Sequence, residues 1–175
     1  MQRPDIIAGL DIGSASIRMV VGQRSAEQKL NVIAAAEVAA EGITKGTVVS
    51  IEEAVKSMNK CLEKTEKIAG VKIESAWVGI SGSHIISQDS RGVVAVSRSD
   101  GEITEEDVER SIEAARTVAT PSNYEILHVI PKAFTIDHQA NIKDPVGMNG
   151  IRLEVDAMII QALTSQVKIL TKCVY

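Results

Sequence analysis

Aromatic side chains are nearly absent: of 175 residues, only Trp77, Tyr124, Phe134 and Tyr175 carry a phenyl, phenol or indole ring. So few rings leave no base-stacking surface for single-stranded nucleic acid, and the core must be aliphatic. Positive charge is not in excess either, with 19 Lys and Arg against 23 Asp and Glu and a net charge of −4. Without a basic surplus to neutralise a phosphate backbone, nucleic acid is a poor partner. Cysteine occurs only as Cys61 and Cys173, with neither disulfide-framework nor metal-ligand spacing, which points to a reducing compartment. No apolar run approaches the ~20 residues that span a bilayer. Arg3, Pro4 and Asp5 break the first stretch, so it does not read as a signal h-region. With 45% hydrophobic and 24% charged residues, the chain nevertheless has ample material for a folded core. Its length suits one medium domain or two small ones.

The order of elements can be read from pattern and punctuation. Ile6–Ile12 reads as a buried strand, Gly13-Ser14-Ala15 as a tight turn and Ser16–Gln23 as the returning strand. Leu30–Ala40 adds a third strand to a meander. Ser50 precedes Glu53 by three, a capping-box pattern, and Ile51, Val55, Met58, Leu62, Thr65 and Ala69 recur at helical spacing. Lys67 in the last turn and Gly70 beyond it close a helix over 51–69. Lys72–Ile80 reads as a strand, and Ile85–Val96 as extended with a break near Asp89–Gly92.

Thr104 and Asp107 form a second capping pattern, with Ile103 and Val108 as a hydrophobic staple. A helix over 105–119 follows, with Val108, Ile112, Ala115 and Ala119 on its apolar face and Pro121 as its stop. Glu125–Asp137 is a long strand that Pro131 should bend or place at an edge. After the Pro145-Val146-Gly147 turn, Ile151, Leu153, Val155, Ala157 and Ile159 alternate with Arg152, Glu154 and Asp156. The stretch from Ile85 to Ala162 is thus strand, helix, strand, strand, a small α+β unit near the lower limit of independent stability. Ser165–Tyr175 begins a helix with Val167, Leu170 and Val174 on one face and no closing signal, which suggests a polypeptide that continues.

Chemistry is most concentrated at Gly9-Leu10-Asp11-Ile12-Gly13-Ser14-Ala15-Ser16-Ile17-Arg18. A carboxylate ending a buried strand needs a metal ion or hydrogen-bond donors. Backbone N–H groups of the Gly13-Ser14 turn can hold phosphate oxygens. Asp11 would then hold Mg²⁺ through water, Ser14 would donate its hydroxyl and Arg18 would add a cation. A plain β-hairpin turn explains the same residues. No Walker-type Gly-Lys-Ser/Thr occurs. His84, His128 and His138 lack ligand spacing, and Ser14, Ser16, Ser81 and Ser83 lack a nucleophile elbow. The charge-rich run Glu102–Arg110 reads as a solvated helix face, and Met19, Met58 and Met158 as core filler.

The Gly9–Ser14 segment resembles the first phosphate loop of the actin, Hsp70 and sugar-kinase superfamily. Further segments narrow the likeness: Gly42-Ile43-Thr44-Lys45-Gly46, Val78–Ile85, Ile126–Pro131 followed by Asp137, and Asn141–Leu153. Together they resemble the bacterial cell-division FtsA family over Ile6 to Tyr175. The resemblance implies an α/β fold: an actin-like (ribonuclease H-like) nucleotide-binding subdomain, partial here, carrying an inserted strand-helix-strand-strand subdomain. Residues 1–82 would begin the first subdomain, 83–162 would be the insertion and 163–175 the return.

By the same resemblance, Asp11, Gly13, Ser14 and Ala15 form the phosphate loop for ATP, with Mg²⁺ on Asp11 through water and Arg18 near phosphate. The family polymerises, tethers FtsZ filaments to the cytoplasmic face of the membrane, and recruits later division proteins through the insertion. The far lobe that meets FtsZ and the C-terminal amphipathic helix that meets membrane would lie beyond Tyr175. Weak or absent ATP binding by these residues alone is therefore expected. An enzyme class is not implied beyond slow ATP turnover in the whole protein. A sugar-kinase-type phosphotransferase and a pilus-assembly actin-like scaffold are the alternatives.

Overall fold

The computed structural model describes residues 5–25, 27–117 and 120–175. Contacts divide the chain into one unit of residues up to His84 together with Ser165–Tyr175, and a second unit, Ile85–Thr164.

In the first unit, β1 (Ile6–Ile12), β2 (Ser16–Arg24) and β3 (Leu30–Ala39) form an antiparallel meander. A short hairpin, β4 (Ile43–Thr44) and β5 (Thr47–Val48), leads into α1 (Ile51–Ala69). The next strand, β6 (Trp77–Ile80), lies parallel to β1, giving sheet order β3-β2-β1-β6. Ala8, Leu10 and Ile12 of β1 and Ile17, Met19 and Val21 of β2 are buried. Leu10, Ile12, Ile17 and Met19 pack with Ala54, Met58 and Cys61 of α1 in an aliphatic core. Met58 and Thr65 point inward as their spacing predicts, with Val55 and Leu62 partly buried against the core, whereas Ile51 is exposed and Ala54 and Cys61 are buried in addition.

Only half of the first capping box forms. Ser50 Oγ accepts from the Glu53 N–H at 3.4 Å, but the Ser50 N–H donates to the Gly42 carbonyl at 3.2 Å. The hairpin carbonyl has replaced the glutamate. Residues 72–76, expected as strand, are irregular, because Glu66 accepts from the Ile73 N–H at 2.9 Å and pairs with Lys72 at 2.8 Å. These bonds hold the Glu66 carboxyl below the usual carboxylate range.

In the second unit, β7 (Ile85–Ala95) is continuous, with no break at Asp89–Gly92. α2 (Glu105–Arg116) follows, then β8 (Tyr124–Ile136), a short β9 (Gln139–Ile142) and β10 (Arg152–Leu163). The sheet order is β7-β10-β8-β9, so β9 is a strand the sequence pattern did not reveal. Pro131 sits where β8 has no partner on its other side, beside a register shift at Asp156/Ala157. α2 ends at Arg116 with Thr117 as its cap, and Ala119 lies outside the described residues. Leu153, Val155 and Ala157 of β10 join Ile103, Ala115 and Phe134 in the core, while Ile151, expected to face inward with them, is exposed. The return helix, α3 (Thr164–Val174), buries Leu170 and Cys173 and leaves Val174 half-exposed.

Candidate phosphate loop

The β1–β2 turn is held by the Gly13 N–H, which donates to the Ser16 carbonyl at 3.1 Å. That amide is therefore used inside the turn and is not free for phosphate, contrary to the sequence reading. A side chain at residue 13 would meet the Ser16 carbonyl at 2.8 Å, which explains the glycine. No backbone bond engages the Ser14 or Ala15 N–H among the described residues, so these are the donors the turn can offer.

Ser14 is fixed from an unexpected quarter. Its Oγ accepts from the Gly46 N–H of the β4–β5 turn at 2.8 Å. With that lone pair occupied by a donor, the hydroxyl proton remains available to donate elsewhere. Gly46 has φ +75, and a Cβ there would lie 1.9 Å from the Ser81 carbonyl, so the turn can reach Ser14 only as glycine.

Asp11, Arg18 and Glu37 occupy one rung across three strands. Asp11 is exposed rather than buried, so it carries no desolvation penalty that a metal must relieve. Arg18 lies 3.1 Å from Glu37 and 4.0 Å from Asp11. Hydrogen bonds from Ser16 and Arg18 hold the Glu37 carboxyl below its ordinary range. Among the described residues, no group of three or more His, Cys, Asp or Glu is placed to ligate a metal directly.

Behind the β4–β5 turn lies His84, which its sequence spacing excludes as a metal ligand and which is buried without being satisfied. His84 is 5% exposed, and neither ring nitrogen finds a hydrogen-bond partner. A Cβ on Gly82 would sit 2.8 Å from His84 Nδ1 and 2.9 Å from Gly46 Cα, so Gly82 is wedged between the imidazole and the turn. Burial lowers the His84 pKa. The unfolded chain therefore takes up the proton at higher pH, and stability falls as pH drops below about 6.5. The limiting slope is ~1.4 kcal/mol per pH unit. Thermal unfolding at pH 7.5 and pH 5 is expected to show a clear loss for the native chain and a smaller loss for His84→Leu. Equal losses in both proteins would remove His84 as the cause.

An aliphatic cavity of about 400 Å³ lies on the α1 side of the sheet, lined by Leu10, Met19, Met58, Ile80 and Leu170 among others. It carries none of the hairpin's polar groups. The thiols of Cys61 and Cys173 are buried and free, and burial raises both pKa values, so they pack as small apolar groups. No described helix is long and apolar enough to cross a membrane.

Comparison with known proteins decides the lineage. Residues 82–161 match the family model described as the SHS2 domain inserted in FTSA. Cell-division FtsA proteins align over nearly the whole chain. The Pseudomonas aeruginosa protein is 36% identical over 99% of this chain and 41% of its own length. The Borreliella burgdorferi protein is 41% identical over 97% and 41%, and the Bacillus subtilis protein 38% over 99% and 39%. The chain belongs to the FtsA family. It spans about two fifths of the length of the FtsA relatives it matches. The structure of a PilM–PilN type IV pilus biogenesis complex is similar in fold, with a TM-score of 0.62 at 14% identity over 95% of this chain and 43% of that one. The fold is thus the α/β, actin-like subdomain with an FtsA-type insertion.

Proposed function

We propose that this chain acts in bacterial cell division as the first part of an actin-like nucleotide-binding subdomain together with the inserted interaction subdomain of an FtsA-type protein. The observation that carries this is identity of 36–41% with cell-division FtsA proteins across essentially the whole chain. In this reading the protein binds ATP with Mg²⁺, assembles into filaments and links FtsZ filaments to the inner face of the cytoplasmic membrane. It recruits later division proteins through residues 83–162.

Asp11, Gly13, Ser14, Ala15 and Arg18 form the phosphate loop. The Ser14 and Ala15 amides and the Ser14 hydroxyl are the phosphate donors, and Gly13 shapes the turn. Asp11, exposed at the strand end, holds hydrated Mg²⁺ through water. The hairpin contributes donors to phosphate and no pocket for a base. These residues alone are therefore expected to bind ATP with less than micromolar affinity. Calorimetric titration giving a micromolar or tighter constant would overturn this.

The second unit supplies the interaction surface. On the β10 face away from α2, Arg91 pairs with Asp156 at 2.7 Å and with Glu154 at 3.6 Å, and Arg152 reaches Glu154 at 3.2 Å. Val93 and Ile130 stand half-exposed beside them. A charged lattice with apolar neighbours is suited to a polar, exchangeable protein contact. Tagged chain is expected to co-purify with later division proteins, and the double reversal Arg91→Glu/Asp156→Arg to abolish this while leaving the fold intact. Undiminished capture by the folded double variant would remove this face from the reading.

A further inference from the structure

Apart from the Mg²⁺ proposed at Asp11, the one cationic side chain of the β1–β2 hairpin, Arg18, is already engaged by carboxylates. The rung Asp11–Arg18–Glu37 holds two carboxylates against one guanidinium, and that guanidinium already sits 3.1 Å from Glu37 and 4.0 Å from Asp11. A polyphosphate at Ser14 would meet backbone and hydroxyl donors but no unpaired cationic side chain from the hairpin, whereas tight oxyanion sites combine the two.

One unpaired cation stands beside the loop. Lys45 is the residue before Gly46, whose N–H reaches Ser14 Oγ at 2.8 Å. It is exposed and has no ion pair or side-chain hydrogen bond among the described residues. Its φ is +50, in the left-handed region, where a side chain other than Gly, Asn or Asp is uncommon. The two-residue hairpin between Thr44 and Thr47 requires positive φ at both loop positions, and it presents the Lys45 side chain at its tip, next to the glycine that reaches Ser14. Adjacent Cα atoms are ~3.8 Å apart, and the stem of a lysine adds roughly 6 Å of reach, so its ammonium can meet an oxygen held at Ser14.

We propose that Lys45 on the β4–β5 turn is the phosphate-binding cation of this site, and that Gly46 beside it orients the Ser14 hydroxyl as a donor. The proposal rests on reading the β1–β2 hairpin as a phosphate loop and adds to it a second element from a separate part of the chain. The turn thereby couples the two halves of the site: ligand charge is met at Lys45 and ligand oxygen at Ser14.

The test is a ¹H–¹⁵N NMR titration of the 175-residue chain with sodium tripolyphosphate, a probe without base or sugar. The Ser14, Ala15 and Gly46 amides should shift with a dissociation constant in the millimolar range. Lys45→Gln should weaken binding about tenfold, the effect of one charge-assisted hydrogen bond. Lys45→Gly, which suits the left-handed turn and guards against a folding artefact, should show the same loss, and Lys45→Arg should retain most of the affinity. Lys72→Gln, which removes a lysine paired with Glu66, should change nothing. If tripolyphosphate leaves the Ser14 and Ala15 amides of the native chain unmoved, the phosphate-loop reading and this proposal fall together. If the native chain binds there and Lys45→Gln and Lys45→Gly bind equally well, Lys45 is excluded and the loop stands. Equal weakening by Lys72→Gln would show bulk electrostatics and would also exclude it.

Discussion

Replacing Asp107 by alanine is expected to destabilise the Ile85–Thr164 unit by about 3–4 kcal/mol. The side chain is completely buried and accepts from both ends of the α2 entrance. Its Oδ1 receives the Ser97 N–H at 3.1 Å, the Ser97 hydroxyl at 2.8 Å and the Arg110 guanidinium. Its Oδ2 receives the Thr104 N–H at 3.0 Å and the Thr104 hydroxyl at 2.9 Å. Burial alone would raise this carboxyl, but the bonds from Thr104, Ser97 and Arg110 outweigh it and hold the group far below the usual carboxylate range. Truncation removes the acceptor shared by Ser97, Thr104 and Arg110, leaves a void where a fully buried side chain stood, and frees the half-buried Thr104 N–H that caps the helix. Asp107→Asn keeps the size but turns an NH₂ toward N–H groups, so it should cost nearly as much. Because the folded pKa is depressed, the stabilisation is complete above the unfolded value near 3.9 and is lost as pH falls through the acid range below it. Urea unfolding at pH 7 followed at β10 and α2 amides provides the measurement; a change within 0.5 kcal/mol of wild type would show that Asp107 is not the keystone.

Gly92→Ala should be comparably severe, at about 3 kcal/mol or more. A methyl group on residue 92 would lie 1.9 Å from the Ser111 carbonyl and 2.5 Å from the Ala115 nitrogen, both backbone atoms of α2. Backbone cannot swing aside as a side chain can. The helix must lift from β7, weakening the bond from Ser90 Oγ to the Ala115 carbonyl, 2.8 Å in the native unit. Gly9→Ala makes the control, since a Cβ there meets nothing within 4 Å. If the two variants melt within a degree or two of each other, the helix–strand approach is not what residue 92 protects.

Gly92 also shows why part of the fold escaped the sequence. Along the chain, a glycine beside Asp89 and Arg91 reads as a break in an extended segment. In three dimensions it is the point of closest approach between strand and helix, and the ladder to β10 runs through it unshifted. The Ser50–Glu53 pair misled for a related reason: the local pattern was complete, but the Gly42 carbonyl competed for the Ser50 N–H. Glu154, assigned outward by alternation, is 8% exposed because Arg91 and Arg152 fold over it.

The candidate site could be drawn from the sequence where its chemistry is local and not where it is distributed along the chain. Asp11, Gly13 and Ser14 stand within four residues and could be picked out by type and spacing. Lys45, Gly46 and His84 are separated from them by tens of residues, and only the β4–β5 turn brings Gly46 to Ser14. Sequence left His84 open between a surface role and a satisfied core role; it is buried without a hydrogen-bond partner, by packing against Gly82 and that turn.

The one-dimensional pattern was sufficient for the β1–β2 hairpin, the start and stop of α1, the Thr104–Asp107 box and the inward residues of β10 from Leu153 onward. Each of these depends on neighbours no more than a few positions away or on a simple period. Tertiary structure alone settled the partnership of Gly46 with Ser14, the burial of His84, the unbroken course of β7 and the irregular path after α1. Those features depend on competition between distant groups for the same hydrogen bond or the same space, and linear order does not record which competitor wins.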